Sequence, residues 1–314
     1  MLTSTRVKIL AAEAGFDLCG IARAERHPKL ARLADWIAQG YAGEMGYLAD
    51  SLEERMDPSQ TLPTARSVIS VAVVYNTATP YSATVTDPDV VAIARYAWGD
   101  DYHLVLRQRL RGLLTALAAE AGPGFEGLTC VDHEAVQERV FAEAAGLGWI
   151  GKNTCVINPQ LGSWLFLGEL FTNAELEPDE PIADMCGTCT KCIEACPTQA
   201  IPQPYTVDAT RCLSYLTIET RGEIDRGLQP SVKTQVYGCD ICQDVCPWNR
   251  KAAVSDDPAW QPREGFLFPR LADLTALSDE ALSTKLKGSS MKRAGLTRIR
   301  RTLRYAAASR TGES

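Results

Sequence analysis

The stretch CGTCTKCIEACP, residues 186–197, places four cysteines at gaps of two, two and three residues. A second run, CDICQDVCP at residues 239–247, has the same ending, and Cys212 lies upstream of it. In bacterial ferredoxins the first spacing wraps three thiolates around one [4Fe–4S] cluster, and the fourth cysteine ligates the other cluster. The two runs therefore predict a ferredoxin-like module with two interleaved [4Fe–4S] clusters.

This exchange of fourth ligands predicts two sets of four thiolates. One cluster would be held by Cys186, Cys189, Cys192 and Cys246. The other would be held by Cys196, Cys212, Cys239 and Cys242. The alternative is structural zinc, because two CxxC pairs also suit tetrahedral coordination. Zinc explains neither the two CxxxCP endings nor eight interleaved thiolates. The remaining cysteines are expected to be small buried apolar residues: Cys19, Cys130 and Cys155.

The bulk composition is that of a globular protein. The chain has 314 residues, of which 46% are hydrophobic and 23% charged, enough for about two domains. Its first residues, MLTSTRVKILAAEAGFDLCG, resemble neither a signal peptide nor a membrane anchor. No stretch approaches the roughly 20 apolar residues that span a bilayer. We therefore expect a cytoplasmic protein without a membrane partner, in which the clustered cysteines bind metal instead of forming disulfides.

Helical and strand patterns alternate in the first part of the chain. Residues 67–75 and 163–171 are typical of buried strands. Residues 100–122 and 134–146 repeat apolar side chains at helical spacing, and each pattern ends at a glycine. This alternation predicts three parts: an α/β (α+β layered) domain at 1–178, the ferredoxin-like module at 179–250 and a helical segment at 251–314.

Charge is distributed unevenly along the chain. The net charge is −7, yet the segment from Lys285 onward has nine basic residues and one acid, Glu313, which gives +8 and leaves −15 for the rest. Such asymmetry suits a polyanionic partner, although a solvated helix face would look the same. The nine basic residues are Lys285, Lys287, Lys292, Arg293, Arg298, Arg300, Arg301, Arg304 and Arg310.

The residues of the first part give weaker signals by themselves. Asp132 precedes a helix and suits an N-terminal cap as well as a catalytic role. His103 and His133 suit an ordinary surface or core position. The glycine-rich stretch at 145–153, AGLGWIGKN, suits either a close approach to a ligand or a tight connection. No GxGxxG motif follows a strand, so a dinucleotide site is not predicted.

Several segments together resemble the epoxyqueuosine reductase family, which uses cobalamin and iron–sulfur clusters in the last step of making the tRNA base queuosine. They occur in family order between residue 5 and about residue 250, and this chain is similar to the shorter members, which lack C-terminal helical repeats. The segments are RMDPSQTLPTARSVISVAVVY, ARYAWGDDYHLVLRQRL, VDHEAVQERVFAEAAGLGWIGKNT, GSWLFLGEL, CGTCTKCIEACPTQAI, RCLSYLTIETRGEI and YGCDICQDVCPWN.

The resemblance implies that the first domain binds cobalamin and that Asp132 is the catalytic proton donor. Burial between cofactor and substrate would raise the pKa of Asp132 towards the working pH. With so few histidines, the cobalt is expected to lack a histidine lower ligand. Besides Asp132, the residues that match cofactor-contacting positions of the family are Arg55, Ala94, Val156, Leu167, Ser214 and Asp240.

The implied reaction is the two-electron reduction of epoxyqueuosine to queuosine in the anticodon loop of tRNA. Electrons would pass from a cytosolic donor, such as flavodoxin or ferredoxin, through both clusters to give cob(I)alamin. The protein is expected to be a monomer, and its basic end segment to bind RNA phosphates. Two other readings stay open: a cobalamin-dependent reductive dehalogenase-like oxidoreductase, which usually carries an export signal, and a ferredoxin-like electron carrier.

Overall fold

A computed structural model describes residues 2–311 of the chain. Its strands are β1 (Leu18–Arg23), β2 (Ser67–Val74), β3 (Ala92–Ile93), β4 (Gly127–Cys130), β5 (Trp149–Ile150), β6 (Val156–Ile157), β7 (Leu165–Thr172) and β8 (Gln235–Tyr237). Its α-helices are α1 (Ser4–Glu13), α2 (Arg32–Ala38), α3 (Tyr47–Asp50), α4 (Leu52–Met56), α5 (Pro58–Thr61), α6 (Tyr102–Ala121), α7 (Glu138–Ala144), α8 (Lys191–Glu194), α9 (Leu213–Ile218), α10 (Gln229–Val232), α11 (Ile241–Asp244), α12 (Leu271–Ala276), α13 (Asp279–Leu286) and α14 (Gly295–Thr311).

An antiparallel sheet with the strand order β1-β2-β7-β4 forms the centre of the first domain. The strands predicted at 67–75 and 163–171 are present as β2 and β7. Every residue of β2 is buried, because helices cover both faces of the sheet. The predicted layered α/β domain is therefore of the α+β kind, with antiparallel pairing and not a parallel sheet.

Helices α1 and α6 cover one face of the sheet, and α7 covers the other. Helix α6 buries Leu106, Leu110 and Leu113 completely, as their spacing of three and four residues predicts. It begins where the Asp101 side chain accepts a hydrogen bond from the His103 backbone N–H. It ends before Gly122, whose φ is +82°.

Helix α7 begins later than the predicted start at residue 134. The Glu134 side chain turns back and accepts a hydrogen bond from the Val131 N–H at 2.7 Å. Residues 131–137 therefore form an irregular loop between β4 and α7. This loop carries Asp132, so its conformation determines where the predicted catalytic carboxylate lies.

The C-terminal helices pack on the first domain and on the cluster module at the same time. One apolar core contains Ile93 from β3, Val236 from β8, Leu282 from α13 and Leu303 from α14. The short parallel pair of β3 and β8 lies within this core. The end segment is thus part of the folded body, and the division into three parts stays a prediction. None of the helices in residues 2–311 combines the length and apolarity needed to cross a bilayer.

Candidate functional site

The first three cysteines of the run at 186–197 lie beside Cys246. Burial raises the pKa of Cys192, and the charges of Cys186 and Cys189 raise it further. Burial also raises the pKa of Cys246 to about 11, with contributions from Cys186 and Cys192. The structure thus brings together the four thiols predicted for one cluster, although Cys246 is far from the others in sequence.

The second predicted set is also brought together. Burial raises the pKa of Cys212, and the charge of Cys196 adds to the effect. Burial raises the pKa of Cys239, to which Cys212 and Cys196 contribute as well. Cys242 lies near Cys239 and Cys212. Helices α8 and α11 contact each other, and this contact places the two cysteine runs side by side. The last cysteine of each run can therefore belong to the set of the other run.

The spacing of these thiols distinguishes between zinc and iron–sulfur. In the described part of the chain, neither set of cysteines forms a group tight enough to share one metal ion. Zinc would draw its sulfurs together, because each Zn–S bond is about 2.3 Å long. A four-iron cubane carries one thiolate at each iron and needs a wider set. The donor sets therefore fit two [4Fe–4S] clusters.

Cys155, expected to be a small buried apolar residue, lies between the two sets. A hydrogen bond with Cys242 lowers the pKa of Cys155. The charge of Cys155 also contributes to the raised pKa of Cys212 in one set and of Cys246 in the other. Cys155 is thus a ninth cysteine at the centre of the module. Burial raises the pKa values of the other two unassigned cysteines, Cys19 and Cys130, as expected for buried side chains.

The glycine-rich stretch at 145–153 connects the two cysteine runs. The Lys152 ammonium donates hydrogen bonds to the carbonyl oxygens of Gly187 at 2.6 Å and Cys189 at 2.9 Å. The Asn153 amide donates to the carbonyl oxygen of Cys242 at 3.3 Å. These two side chains fix the module on the first domain. This role of Lys152 and Asn153 was not predicted. The one feature of the sequence that indicates it is a lysine within a glycine-rich, largely apolar stretch.

Asp132 lies at the start of the β4–α7 loop and is bound by side chains of α6. Its Oδ2 is 2.7 Å from His103 Nε2 and accepts a hydrogen bond from the Tyr102 hydroxyl at 3.0 Å. Its φ is +60°, a left-handed conformation that is unusual outside glycine and recurs at functional sites. The side chain is 52% exposed. Asp132 is therefore not the cap of α7, which is Gln137.

His103 is held between two carboxylates. Its Nδ1 is 2.6 Å from Asp101 Oδ1, and its Nε2 faces Asp132. The ring is 3% exposed and stacks on Tyr102 with centroids 3.9 Å apart. Ionised carboxylates only accept hydrogen bonds, so both ring nitrogens must donate. The geometry therefore favours a protonated imidazole. Sequence reasoning gave His103 only a weak claim, and its pairing with Asp101 and Asp132 was missed.

The pKa shifts agree with this geometry. Burial acts to raise the pKa of Asp132, but the hydrogen bond and charge of His103, with help from Tyr102, lower it below its usual value. Burial acts to lower the pKa of His103, but its hydrogen bonds with Asp101 and Asp132 raise it above its usual value. In this arrangement the pKa of Asp132 is lowered and the proton is held on His103, and the rise expected from burial between cofactor and substrate stays a prediction.

A second pair of carboxyl groups lies behind Asp132. Glu138 Oε1 accepts a hydrogen bond from the Asp132 N–H at 2.7 Å. Burial raises the pKa of Glu138, and the charge of Asp132 adds to it. Burial also raises the pKa of Glu169, which accepts a hydrogen bond from Ser70 at 3.0 Å. Glu138 thus fixes the Asp132 backbone, and Glu169 lies beside Glu138, while the Asp132 side chain is half exposed.

The residues implied as cofactor contacts form neighbouring pairs. Burial raises the pKa of the Tyr47 hydroxyl to about 12; the charge of Asp132 adds to this rise and the charge of Arg55 opposes it, so both residues lie near Tyr47. Ala94 adjoins the turn in which the Arg95 N–H donates to Asp240 Oδ2 at 2.6 Å. Val156 and Leu167 form another pair, because they belong to one apolar cluster. Ser214 is half-buried near the start of α9.

Ala94 and Asp240 lie in a closely packed, buried region. A Cβ at Gly238 would lie only 2.5 Å from the Ala94 Cβ. Burial raises the pKa of Asp240 to about 7, and the charge of Asp244 contributes. This region thus places a small apolar side chain near a buried carboxyl group.

Comparisons with known proteins agree with both parts of the site. The family model "4Fe-4S double cluster binding domain" matches residues 185–249, and "Epoxyqueuosine reductase QueG, DUF1730" matches residues 55–133. An epoxyqueuosine reductase of Gloeobacter violaceus is 42% identical over 311 residues, with 97% of this chain and 95% of that protein covered. The Xanthomonas campestris enzyme is 40% identical over 302 residues, with 96% and 85% covered.

A solved structure has the same fold. It is the crystal structure of an epoxyqueuosine reductase with an epoxyqueuosine-modified tRNA-Tyr stem loop. The TM-score is 0.88 at 32% identity, with 97% of this chain and 80% of that chain covered. A two-cluster module joined to an α+β domain with an acid–imidazole pair defines an iron–sulfur oxidoreductase. This chain belongs to the epoxyqueuosine reductase family, which confirms the resemblance seen in its sequence.

Proposed function

We propose that this chain reduces epoxyqueuosine to queuosine in the anticodon loop of tRNA, as the last step of queuosine biosynthesis. The observation that carries the proposal is the near full-length family match together with two cysteine quartets and the Asp132–His103 pair in one body. A solved relative is described with an epoxyqueuosine-modified stem loop, and another, from Bacillus subtilis, with a catalytic loop that carries an aspartate. Family membership favours this reaction over dehalogenation or simple electron carriage.

The two cysteine quartets would hold the [4Fe–4S] clusters, and Lys152 and Asn153 would keep those clusters in place against the first domain. Cobalamin would be held by Arg55, Ala94, Val156, Leu167, Ser214 and Asp240. When bound and reduced, cobalamin supplies a cobalt nucleophile for opening an epoxide. A cytosolic one-electron carrier such as flavodoxin or ferredoxin would supply the electrons. We expect the protein to act as a monomer in the cytoplasm.

The histidines of the chain fit a cobalamin without a histidine lower ligand. Both ring nitrogens of His103 face carboxylates. His133 Nε2 contacts Arg293. His27 Nδ1 accepts a hydrogen bond from the Lys29 N–H at 3.2 Å. Each imidazole thus has at least one contact within the protein.

The protein's own contribution to the reaction is the supply of protons. Reduction of the epoxide takes up two electrons and two protons, breaks both C–O bonds and releases the oxygen as water. Asp132 would take a proton from His103 Nε2, which lies 2.7 Å away, and pass it to the departing oxygen as the alkene forms. Asp101 would keep His103 charged. The second proton would reach Asp132 from solvent, to which its side chain is open.

Replacing His103 tests this proton supply. In His103→Gln we expect the single-turnover rate to fall about tenfold to a hundredfold, since Asp132 loses its proton source. Because the pKa of His103 is raised, the wild-type rate should persist above the usual value of about 6.5 and fall as pH rises through the raised pKa. The variant should lack this alkaline limb. The measurement is the pH profile of single turnover, with His27→Gln as the matched control.

Two further results bear on the same prediction. Nitrogen NMR of the histidine rings should show His103 titrating above His27 and losing part of that shift in Asp132→Asn, since Asp101 remains. A His103→Gln protein with the wild-type pH profile would refute the role of His103. The free energy of unfolding should depend on pH in the same way. The raised pKa of His103 stabilises the fold fully below about pH 6.5, and this stabilisation is lost as pH rises through the raised pKa.

The proposed function itself is tested by the components that turnover requires. We expect an anaerobic mixture of protein, cobalamin, a low-potential reductant and epoxyqueuosine-containing stem loop to form queuosine, and each omission to stop the reaction. The protein should also bind one corrinoid per chain, as seen in its absorption spectrum. A protein that holds both clusters, passes electrons and binds no corrinoid would instead be a ferredoxin-like carrier.

A further inference from the structure

The arginines of α14 are engaged in contacts within the protein, which changes how the basic end segment can meet RNA. Arg301 is buried and donates to the carbonyl oxygen of Thr220 at 2.8 Å. Arg300 pairs with Asp279, and Arg304 with Glu223. The other basic side chains bonded to backbone carbonyls are Arg298, Arg310 and Lys285. Most of the +8 charge therefore fastens the segment to the protein. The last residues, including Glu313, lie outside the described part.

Three cations of the segment lie on one turn, and two of them, Lys287 and Lys292, have no partner among the described residues. Lys287 and Lys292 are exposed, and within residues 2–311 neither side chain has an ion pair or hydrogen bond. The Arg293 side chain is 37% exposed. We define residues 287–293, KGSSMKR, as the basic turn. Its glycine, Gly288, has φ +78°, which lets the chain reverse sharply after α13.

A fourth cation beneath the basic turn is not neutralised. Arg263 Nη1 is buried without a hydrogen-bond partner in the described structure. A Cβ at Gly288 would lie 3.2 Å from this nitrogen, so the guanidinium lies directly against the turn. It also lies over the Phe266 ring at 5.8 Å. None of the ion pairs among the described residues includes Arg263. A guanidinium without an acidic partner adds positive potential where no acid cancels it.

The basic turn borders the proposed active site. The Asp101 N–H donates to the Gly288 carbonyl oxygen at 2.9 Å. Arg293 Nε is 3.4 Å from Asp101 Oδ2, and its guanidinium also contacts His133. Asp101 is the partner of His103, which in turn binds Asp132. Lys287 and Lys292 are thus carried by the segment that packs against the proton-supplying residues.

We propose that the basic turn binds the backbone phosphates that flank the substrate nucleotide, with Lys287 and Lys292 as the direct contacts. The inference rests on the proposed function, because a nucleotide whose base reaches Asp132 carries its own phosphates to the edge of the same site. Such contacts position the strand without reading its sequence. They matter more in a chain whose remainder carries −15, since that charge repels RNA. Helix α14, by contrast, supports the turn and does not form the RNA surface.

The test compares two double variants in the full-length protein. Lys287→Gln with Lys292→Gln removes the two free cations. Arg304→Gln with Arg310→Gln is the matched control, since it removes the same charge from α14. The measurement is the dissociation constant for an unmodified anticodon stem loop, by fluorescence anisotropy at several salt concentrations. An unmodified loop reports phosphate binding and does not depend on epoxide reduction.

We expect the lysine variant to bind about tenfold more weakly and its salt slope to fall by about 1.4, which corresponds to two lost single-strand phosphate contacts. The control should stay within about twofold of wild type.

Wild-type affinity and salt slope in the lysine variant would overturn the proposal, as would an equal loss in the control. Either result would leave the proposed function standing if the wild type turns over. If instead the wild type fails to reduce the modified loop while only the lysine variant binds RNA weakly, the phosphate site stands and the proposed function falls. Unchanged thermal unfolding of both variants shows that neither result comes from misfolding.

Discussion

Asp132→Asn is expected to lose about 10²- to 10⁴-fold in the rate of epoxyqueuosine reduction. An amide keeps the size of the side chain and can still meet His103 and Tyr102, but it cannot pass a proton to the departing oxygen. The variant should retain both clusters and its RNA affinity, because Asp132 touches neither a cysteine run nor the basic turn. The measurement is the single-turnover rate under anaerobic conditions.

The matched control for this variant is Asp273→Asn, an exposed aspartate on α12 away from the site. It should react at the wild-type rate. Loss of activity that is equal in both variants would point to a general charge effect. A fully active Asp132→Asn protein would show that the proton comes from another group, and the pairing of Asp132 with His103 would then be only structural.

Replacing any cluster cysteine should abolish turnover. The variants should fall into two groups, and each group combines cysteines from both runs. Cys246→Ala is expected to remove the same cluster as Cys186→Ala, and Cys196→Ala the same cluster as Cys239→Ala. The reason is that the structure places Cys246 with the first run and Cys196 with the second. Iron should fall from about eight to about four atoms per chain in each case. The measurement is iron content with EPR of the reduced protein.

Cys155→Ala is the matched control, because this thiol lies between the two sets but belongs to neither. It should keep about eight irons and both EPR signals. If Cys246→Ala removed the signal lost in Cys239→Ala, the cysteine runs would each hold their own cluster and the interleaved assignment would be wrong. Loss of iron in Cys155→Ala with retention in Cys242→Ala would exchange the roles of these two residues.

The cluster module could be predicted from sequence because its ligands are identified by residue type and spacing. Cys246 ends the second run with the same CxxxCP pattern that ends the first, and that pattern alone indicated the exchange. The position of Cys155 could not be predicted, because a single cysteine outside a motif has no spacing to interpret. Its place between the sets depends on how the 145–153 stretch packs, which Lys152 and Asn153 determine through bonds to distant carbonyls.

The acid–imidazole pair could not be derived from local pattern. His103 and Asp132 are 29 residues apart and meet because α6 packs against β4. The resemblance identified Asp132, whereas only the fold shows that His103 holds its proton. Charge counting found the basic end segment, but composition does not say which way an arginine points. The contacts of Arg300, Arg301 and Arg304 show that helix α14 uses its charge internally.

The most direct test of the central claim is the mass of the modified nucleoside after one anaerobic turnover. Wild-type protein with both clusters, bound cobalamin and a low-potential reductant is mixed with an epoxyqueuosine-containing tRNA stem loop, and the digested RNA is examined by mass spectrometry. We predict that epoxyqueuosine is replaced by a nucleoside lighter by one oxygen atom, which co-elutes with queuosine. Unchanged epoxyqueuosine in a preparation that contains about eight irons and one corrinoid per chain would contradict the account.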